Sequence, residues 1–174
     1  MLFFLLLHGA IIFIPLVIAQ TWTECNPTKE TCPNNPAFGT SHNFAFNQSS
    51  VVTQSFKVTS GLLNYRNGNA EFTVLRRGES PTIQSKFYIM FGSVSVIMKA
   101  SPGQGIISSI VLESDDLDEV DWEFIGGNGT HVETNYFGKG NTTTFDRAIY
   151  HRLSKDPRND FHNYTINWTS QKLE

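Results

Sequence analysis

Three acidic side chains at alternating positions, Glu119, Asp121 and Glu123, form the part of the chain best suited to chemistry. Successive side chains of a β-strand point to opposite faces, so these carboxyl groups would share one face while Val120 and Trp122 take the other. Retaining glycosidases use two carboxyl groups about 5–5.5 Å apart, one to attack the anomeric carbon and one to protonate the departing oxygen. The pattern therefore predicts a glycoside-cleaving site.

The spacing of the two glutamates suits that chemistry. Positions i and i+4 of a strand have Cα atoms roughly 13 Å apart, a gap that two long Glu side chains can close by leaning together. Asp121 lies between Glu119 and Glu123 and would contact both. Three carboxyl groups so close cannot all ionise near neutral pH, so we expect the cluster to hold a proton.

Other interpretations of this segment are a solvated strand face and a calcium loop. An EF-hand loop counted from Asp116 would need an oxygen ligand where Val120 stands and a glycine where Asp121 stands, which disfavours it. Trp122 is a candidate sugar platform, but its position opposite the acids favours a place in the core.

The elements that must hold these residues are strands. Runs of apolar or alternating character, separated by Gly, Asn and Pro, lie at 51–58, 70–76, 82–91, 93–100, 106–113, 119–125, 131–137, 145–150 and 161–169. No segment beyond the amino-terminal apolar run shows sustained helical periodicity. Short strands at this spacing predict an all-β fold, an antiparallel two-sheet β-sandwich.

Segments around the acidic strand resemble a known family. The sequence SDDLDEVDWE at 114–123, followed by TNYFGKG at 134–140, is similar to the fungal Crh-type cell-wall transglycosylases of glycoside hydrolase family 16. SKFYIMFG at 85–92 and the segment from Cys25 to Cys32 extend the similarity over nearly all of residues 20–174.

The resemblance implies a jelly roll with a concave carbohydrate-binding groove. It implies that Glu119 is the nucleophile, that Glu123 is the general acid/base, and that Asp121 orients the nucleophile and tunes its proton affinity. The implied reaction cleaves a chitin or β-glucan donor to a covalent glycosyl-enzyme and passes it to a β-glucan or chitin acceptor, which crosslinks chitin to glucan. An endo-acting hydrolase, or a non-catalytic carbohydrate-binding wall protein on the same scaffold, is the alternative.

Candidate substrate-binding residues lie on two later strands. In the strand after the acidic one, Asn135 and Phe137 would point to one face and Tyr136 to the other. His162 and Tyr164 share a parity in a segment that resembles a late groove strand of the family. A half-buried cross-strand aromatic is the alternative for Tyr136, and an incidental polar residue is the alternative for His162.

Two acidic residues depart from the family pattern. Glu133 stands where the family carries Gln, and Glu113 stands where many members carry an uncharged residue. Added negative charge beside the cluster would raise carboxyl pKa values, which affects donor preference more than reaction type.

The amino terminus predicts secretion. An apolar stretch ending Val17-Ile18-Ala19 fits a signal peptide over residues 1–19, although it lacks Lys and Arg and is long enough for an uncleaved anchor. Residues 20–174 would form the catalytic domain of a secreted cell-wall protein. Five N-glycosylation sequons support this route, and the last of them is expected to be partly buried and unused: Asn47, Asn128, Asn141, Asn163 and Asn167.

Cys25 and Cys32 are the only cysteines, and in an oxidising compartment we expect them to form a disulfide. Relatives continue beyond Glu174 with further strands, so we expect a domain that lacks its C-terminal strands and turns over little. No lipid-anchor signal is present in this chain, and membrane association would need one.

The charge of the chain excludes a nucleic-acid binder. The net charge is −3, and 7 of 16 acidic residues fall between Glu113 and Glu123, with no basic stripe. The expected partners are a polysaccharide donor and acceptor, and the expected state is a monomer with no metal and no cofactor.

Overall fold

The computed structural model describes residues 23–144 and 146–174; the expected signal peptide lies outside them. In chain order the elements are α1 (Ser49–Ser55), β1 (Phe56–Ser60), β2 (Leu63–Arg66), β3 (Asn69–Phe72), β4 (Thr82–Ser85), β5 (Gly92–Met98), β6 (Ile107–Glu113), β7 (Glu119–Ile125), β8 (His131–Phe137), β9 (Ile149–Arg152) and β10 (His162–Trp168). The chain divides into two compact units.

Of the described residues, the first unit holds 23–32 and Ala100–Arg158. Its four-stranded sheet has the order β6-β7-β8-β9, and each neighbouring pair is antiparallel. Phe124 and Val132 are 1% exposed and lie on the sheet face opposite the acidic side chains. The alternation of acidic and apolar residues in β7 therefore separates a polar face from a core face, as period-two alternation requires.

The second unit holds Pro33–Lys99 and Asn159–Glu174. It contains three two-stranded antiparallel sheets, β1-β4, β2-β3 and β5-β10. Aromatic rings with centroids 4.6–6.2 Å apart form a cluster made by Phe38, Phe44, Phe46, Phe56 and Phe87. Edge-to-face and offset contacts of this kind add to the free energy of apolar burial.

The strand expected over 51–58 is wrong for its first part, since Ser49–Ser55 form a helix. A helix of seven residues makes only two turns, too few for a periodic pattern to stand out. Val52 is its buried side chain, at 1% exposure. Burial in the tertiary structure outweighs the strand preference of the Val-Val-Thr sequence here.

Asn67 and Gly68 form the turn that joins β2 to β3, and no strand was predicted at β2. Asn67 and Gly68 have φ values of 51° and 78°. Both fall in the left-handed region that a two-residue hairpin turn needs and that Asn-Gly tolerates best. The expected disulfide is confirmed, because Cys25 and Cys32 are joined by an S–S bond of 2.01 Å.

All five sequon asparagines are exposed. The expectation that Asn167 is partly buried is therefore wrong; its backbone pairs with Glu174, and its side chain lies on the exposed side of β10. In two sequons the asparagine Oδ1 accepts a hydrogen bond from the hydroxyl of the threonine two residues later, at 2.8 Å for Asn128 and 2.6 Å for Asn141. Within the described ranges, no helix is both long and apolar enough to cross a bilayer.

Candidate active site

The acidic segment is an extended strand in the middle of the first unit's sheet. β7 pairs with β6 on one side and with β8 on the other. Glu119, Asp121 and Glu123 therefore project from the same side, which we call the acid face. The register places these neighbours on it: Glu113, Val111 and Ser109 from β6, Phe137, Asn135 and Glu133 from β8, and Tyr150 from β9.

Two of the three carboxyl groups are buried. Glu119 and Asp121 are each 4% exposed, whereas Glu123 is half-buried. The side chains of Asp121 and Glu119 are hydrogen-bonded to each other. Glu119 Oε2 and Asp121 Oδ1 are buried without a hydrogen-bond partner among the described residues. Buried polar atoms of this kind are uncommon in native proteins, and a catalytic role is one of the explanations for them.

The pKa of Asp121 is raised from 3.8 to about 8, first by burial, next by the charge of Glu119 and the hydrogen bond to it, and least by the charges of Glu123 and Glu113. A carboxyl group with that pKa is protonated at neutral pH. The acid face thus holds a proton between its two glutamates. The neutral form of Asp121 also explains why this side chain is buried, because an uncharged carboxyl group leaves water at a far lower free-energy cost than a carboxylate.

The acids are less open than the sequence suggests. Alternation alone predicts three carboxyl groups on the solvent-facing floor of a groove, but exposure rises along β7 from the buried Glu119 to the half-buried Glu123. Glu119 and Asp121 share a hydrogen bond and a low-dielectric environment. Only contacts from other strands create such an environment, so the alternation could not reveal it.

Trp122 lies on the side of the sheet away from the acids, as its parity predicts. Its ring is nearly parallel to that of Phe124, at a centroid distance of 6.3 Å and an angle of 10°. The His151 ring lies 6.5 Å away on the same side and hydrogen-bonds Thr134 Oγ1 at 2.8 Å. Trp122 is half-buried rather than fully buried, and it does not face the acids.

Two of the predicted substrate-binding residues lie on the acid face. Asn135 is opposite Asp121 in the register and is buried, while Phe137 is opposite Glu119 and half-buried. Tyr136 projects from the reverse side and is 51% exposed. The Arg147 guanidinium lies 5.1 Å from the centre of the Tyr136 ring, a cation–π contact.

The other two predicted substrate-binding residues belong to β10 in the second unit. His162 and Tyr164 project from one side of β10, with ring centroids 6.3 Å apart. Burial raises the pKa of Tyr164, and His162 Nε2 is buried without a hydrogen-bond partner in the described part of the chain. The structure thus groups these two rings with each other.

Sequence reasoning missed Tyr150. It lies on β9 opposite Glu133, and its hydroxyl hydrogen-bonds the Glu133 carboxylate. No alternation of buried and exposed residues marks β9, because all four of its residues are exposed. Because the sequence predicted that strand over 145–150 instead of Ile149–Arg152, the cross-strand pairing with Glu133 was not visible.

The turn before β7 is fixed by side-chain hydrogen bonds. Ser114 Oγ donates to Asp116 Oδ1 at 2.6 Å and accepts from the Asp118 backbone N–H at 3.0 Å. Asp118 Oδ1 in turn accepts the Lys139 N–H at 2.9 Å. Strands flank this turn, so the helix-loop-helix of an EF-hand is excluded. No group of three or more metal-ligating side chains is found over 23–144 and 146–174.

The turn after β7 is held by one arginine. Arg158 Nη1 donates to the Gly126 carbonyl at 2.8 Å. The Asp156 carboxylate accepts from Arg158 Nε and Nη2 at 2.8 and 2.7 Å, and this hydrogen bonding lowers the pKa of Asp156 to about 2. Asp156 is therefore ionised throughout the ordinary pH range, and the paired guanidinium stays directed at the end of β7.

Comparison with known proteins identifies the family of the chain. A profile of glycosyl hydrolases family 16 matches residues 49–174. Crh-like protein 2 of Botryotinia fuckeliana is 64% identical over 97% of this chain and 38% of its own length. Crh-like protein 5 of Aspergillus fumigatus is 51% identical over 92% of this chain and 40% of its own length. The chain spans about two fifths of the length of these relatives.

Solved structures agree with the fold class. The Crh5 transglycosylase in complex with NAG matches with a TM-score of 0.80 at 50% identity, over 84% of this chain and 60% of that one. A prokaryotic β-1,3-1,4-glucanase (lichenase) from a mouse hindgut metagenome matches with a TM-score of 0.59 at 20% identity, over 72% and 69% of the two chains. These likenesses confirm the predicted all-β sandwich.

Proposed function

Because the chain belongs to glycosyl hydrolases family 16, we propose that it is a retaining transglycosylase of cell-wall polysaccharides. The observation that carries this proposal is the acid face of β7. It has two glutamates separated by a buried aspartic acid whose pKa is raised to about 8. A proton is thereby held within a cluster of closely spaced carboxyl groups, as acid-assisted glycoside cleavage needs.

In the first half of the reaction Glu119 is the nucleophile. One of its carboxylate oxygens forms a bond to the anomeric carbon as the bond from that carbon to the glycosidic oxygen breaks. Glu123 gives its proton to the departing oxygen, which leaves with the bonding electron pair as a neutral hydroxyl group. The products are a glycosyl ester on Glu119 and a Glu123 carboxylate.

In the second half the roles of the glutamates reverse. The Glu123 carboxylate takes the proton of an acceptor hydroxyl while that oxygen attacks the anomeric carbon. The ester bond to Glu119 breaks, and its electron pair returns to the carboxylate. Two displacements at one carbon retain the anomeric configuration, and the ester can await a sugar hydroxyl in place of water.

Asp121 is proposed to orient the nucleophile. Its side chain shares a hydrogen bond with Glu119, and it carries a proton at neutral pH. The O–H of protonated Asp121 would donate to one carboxylate oxygen of Glu119, which leaves the other oxygen free to attack the anomeric carbon. Asn135, opposite Asp121 in the register, and Phe137, opposite Glu119, are proposed substrate-binding residues on the same face.

The proposed donor is chitin or β-glucan, and the proposed acceptor is β-glucan or chitin, which together give chitin-glucan crosslinks. The Crh5 transglycosylase that this chain resembles was solved in complex with NAG, which supports a donor built of N-acetylglucosamine. Tyr136, His162 and Tyr164 are proposed further contacts with the polysaccharide. We also propose that the protein is a monomer secreted to the cell wall, a route that its exposed sequons support.

The test of this proposal uses an activated chitin-oligosaccharide donor. Mass spectrometry of the digested chain is expected to find one sugar adduct, on Glu119, and a labelled glucan acceptor is expected to gain mass. Glu119→Gln should abolish both signals and lower turnover at least 10³-fold, because it removes the nucleophile. The conservative change keeps the size of the side chain and its capacity for hydrogen bonding to Asp121.

The same experiment separates the alternatives. A hydrolase would release reducing ends at the rate of donor loss and leave the acceptor unlabelled. A non-catalytic binding protein would retain polysaccharide binding in Glu119→Gln and never form an adduct. Either outcome would contradict transglycosylation, and the second would also contradict the catalytic roles given to β7.

A further inference from the structure

A further carboxylate, that of Glu133, faces the proposed general acid, Glu123. Glu133 on β8 is the register partner of Glu123, and directly opposed residues of antiparallel strands have Cβ atoms about 4.5–5.5 Å apart. Tyr150 is the next partner along the same row, on β9, and its hydroxyl hydrogen-bonds Glu133. Glu123, Glu133 and Tyr150 therefore form one row across three adjacent strands.

We infer that Glu133, held by the Tyr150 hydroxyl, is a positioning residue that keeps the proton on Glu123 until it passes to the departing oxygen. This inference rests on the proposed function, because it assigns a partner to the general acid of that reaction. It adds a residue and a specific electrostatic task to the site.

Tyr150 is the hydrogen-bond donor of this row. A phenol hydroxyl can only donate to a carboxylate, and donation favours the charged form of the acceptor. The pKa of Tyr150 is raised, first by its hydrogen bond to Glu133, next by the Glu133 charge, and least by the Glu123 charge. Tyr150 thus remains a donor at every pH at which the enzyme would work.

The carboxylates of Glu123 and Glu133 are directly opposed, and like charges in this arrangement repel each other. A charge on Glu133, directly across the ladder, disfavours a second negative charge on Glu123 and so favours the protonated form that acid catalysis needs. Asp121, the neighbour along β7, cannot supply this repulsion at neutral pH because it is itself protonated. The opposing residue on β6 is Ser109, which carries no charge.

Other charged groups on the acid face are more distant in the register. The titratable or charged residues placed on the same side as Glu123 are Glu113 on β6, Glu119 and Asp121 on β7, His131 and Glu133 on β8, and Tyr150 and Arg152 on β9. The positive charges, on Arg152 and on protonated His131, oppose the effect. They lie one row further along the strands, so the directly opposed Glu133 has the larger influence.

The test is the pH dependence of kcat/KM for donor cleavage in Glu133→Gln. The alkaline limb of that profile reports the general acid of the free enzyme. Removing one charge across the ladder should move this limb to lower pH by about 0.5–1 unit. The acidic limb, which reports the nucleophile, should stay in place because Glu119 is opposite Phe137 and not Glu133.

Two further variants make the result specific. Tyr150→Phe keeps the ring but removes the hydrogen bond, so it should shift the alkaline limb in the same direction by a smaller amount. Glu71→Gln removes a carboxylate from β3, outside the acid face, and should leave both limbs unchanged. A purely structural role for Glu133 would lower kcat/KM equally at all pH values.

The role of Glu133 and the proposed transglycosylase activity can fail separately in this experiment. If the unsubstituted chain is active and the alkaline limb of Glu133→Gln coincides with its own, the inference is overturned and the proposed function stands. If the unsubstituted chain forms no adduct and cleaves no donor, both are overturned. An absorbance titration provides a second readout. The ionisation of Tyr150 is identified as the one that is missing in Tyr150→Phe, and it should occur at lower pH in Glu133→Gln than in the unsubstituted chain.

Discussion

At the scale of single residues, the site rests on carboxyl groups that are chemically alike and differ in their surroundings. Glu119 and Asp121 are buried side by side, and the proton belongs to the pair that they form. Glu123 is less buried and faces Glu133. Sequence alternation could identify these residues, but it could not rank their proton affinities, since those depend on burial and on neighbouring strands.

The raised pKa of Asp121 predicts how stability depends on pH. The folded state binds the proton more tightly than the unfolded state, whose aspartate has a pKa of 3.8, so stability falls as pH rises from about 4 to about 8. Asp121→Asn keeps the shape of the neutral acid and removes this titration. We expect the variant to be more stable than the unsubstituted chain at pH 8, by about 2 kcal/mol or more, and to lose transferase activity.

Urea denaturation at pH 5 and pH 8 measures this difference. The advantage of Asp121→Asn should be clearly larger at pH 8 than at pH 5. Asp146→Asn, a change at an exposed aspartate, should have nearly the same small effect at both pH values. A stability of the unsubstituted chain that rises from pH 5 to pH 8, with no gain from Asp121→Asn, would show that Asp121 is ionised in the folded state.

At the scale of elements, β7, the strand that carries the acids, is fixed by the turns at its two ends. The bounds expected for β7 and β8 agree with the structure, because alternation is strong in both and turn residues stand at their ends. The helix α1 and the bounds of β9 were not predictable in this way. A two-turn helix has no resolvable period, and a short exposed strand has no buried face to create one.

The turn after β7 predicts that alanine substitutions at two adjacent glycines differ sharply in their effect on stability. A Cβ added at Gly126 would lie 2.5 Å from the Gly103 carbonyl oxygen and 2.7 Å from that of Ser101, so the backbone itself must move. A Cβ at Gly127 would lie no closer than 3.9 Å to the nearest atom, the Gln104 Cα. We expect Gly126→Ala to destabilise the fold by about 2–4 kcal/mol and Gly127→Ala to change it by less than about 1 kcal/mol.

Thermal unfolding of the two variants, followed by circular dichroism, provides the measurement. Gly126→Ala should also reduce activity, because this turn sets the end of the strand that carries the acids. Equal melting temperatures for the two alanine variants would mean that the contacts of Gly126 do not hold the turn.

At the scale of the whole molecule, the exposure of the sequons predicts glycosylation. Asn47, Asn128, Asn141, Asn163 and Asn167 all lie on the surface of the described chain. When the chain is expressed in a eukaryotic secretory host, we expect a heterogeneous glycoprotein that an endoglycosidase converts to a single lower mass. Asn128→Gln and Asn141→Gln should each remove one glycan, since neither asparagine is buried by folding.

Peptide mapping with and without the glycosidase assigns the occupied sites. Asn69→Gln, at an asparagine outside any sequon, should leave the glycan number unchanged. Secretion of a chain that carries no glycan at any of the five positions would contradict the proposed maturation route.

The sequence by itself determined the features that depend on local covalent geometry. The period of two in a strand placed Glu119, Asp121 and Glu123 on one side and Trp122 on the other, and the two cysteines fixed a single possible disulfide. These follow from the residue order without knowledge of distant neighbours.

Only the tertiary structure decided which of those groups lose contact with water and which meet across the ladder. The burial of Asp121, the pairing of Tyr150 with Glu133 and the exposure of Asn167 all depend on residues far apart in sequence. Desolvation and Coulomb interaction vary with distance and environment, so identical carboxyl groups acquire different proton affinities only after the chain has folded.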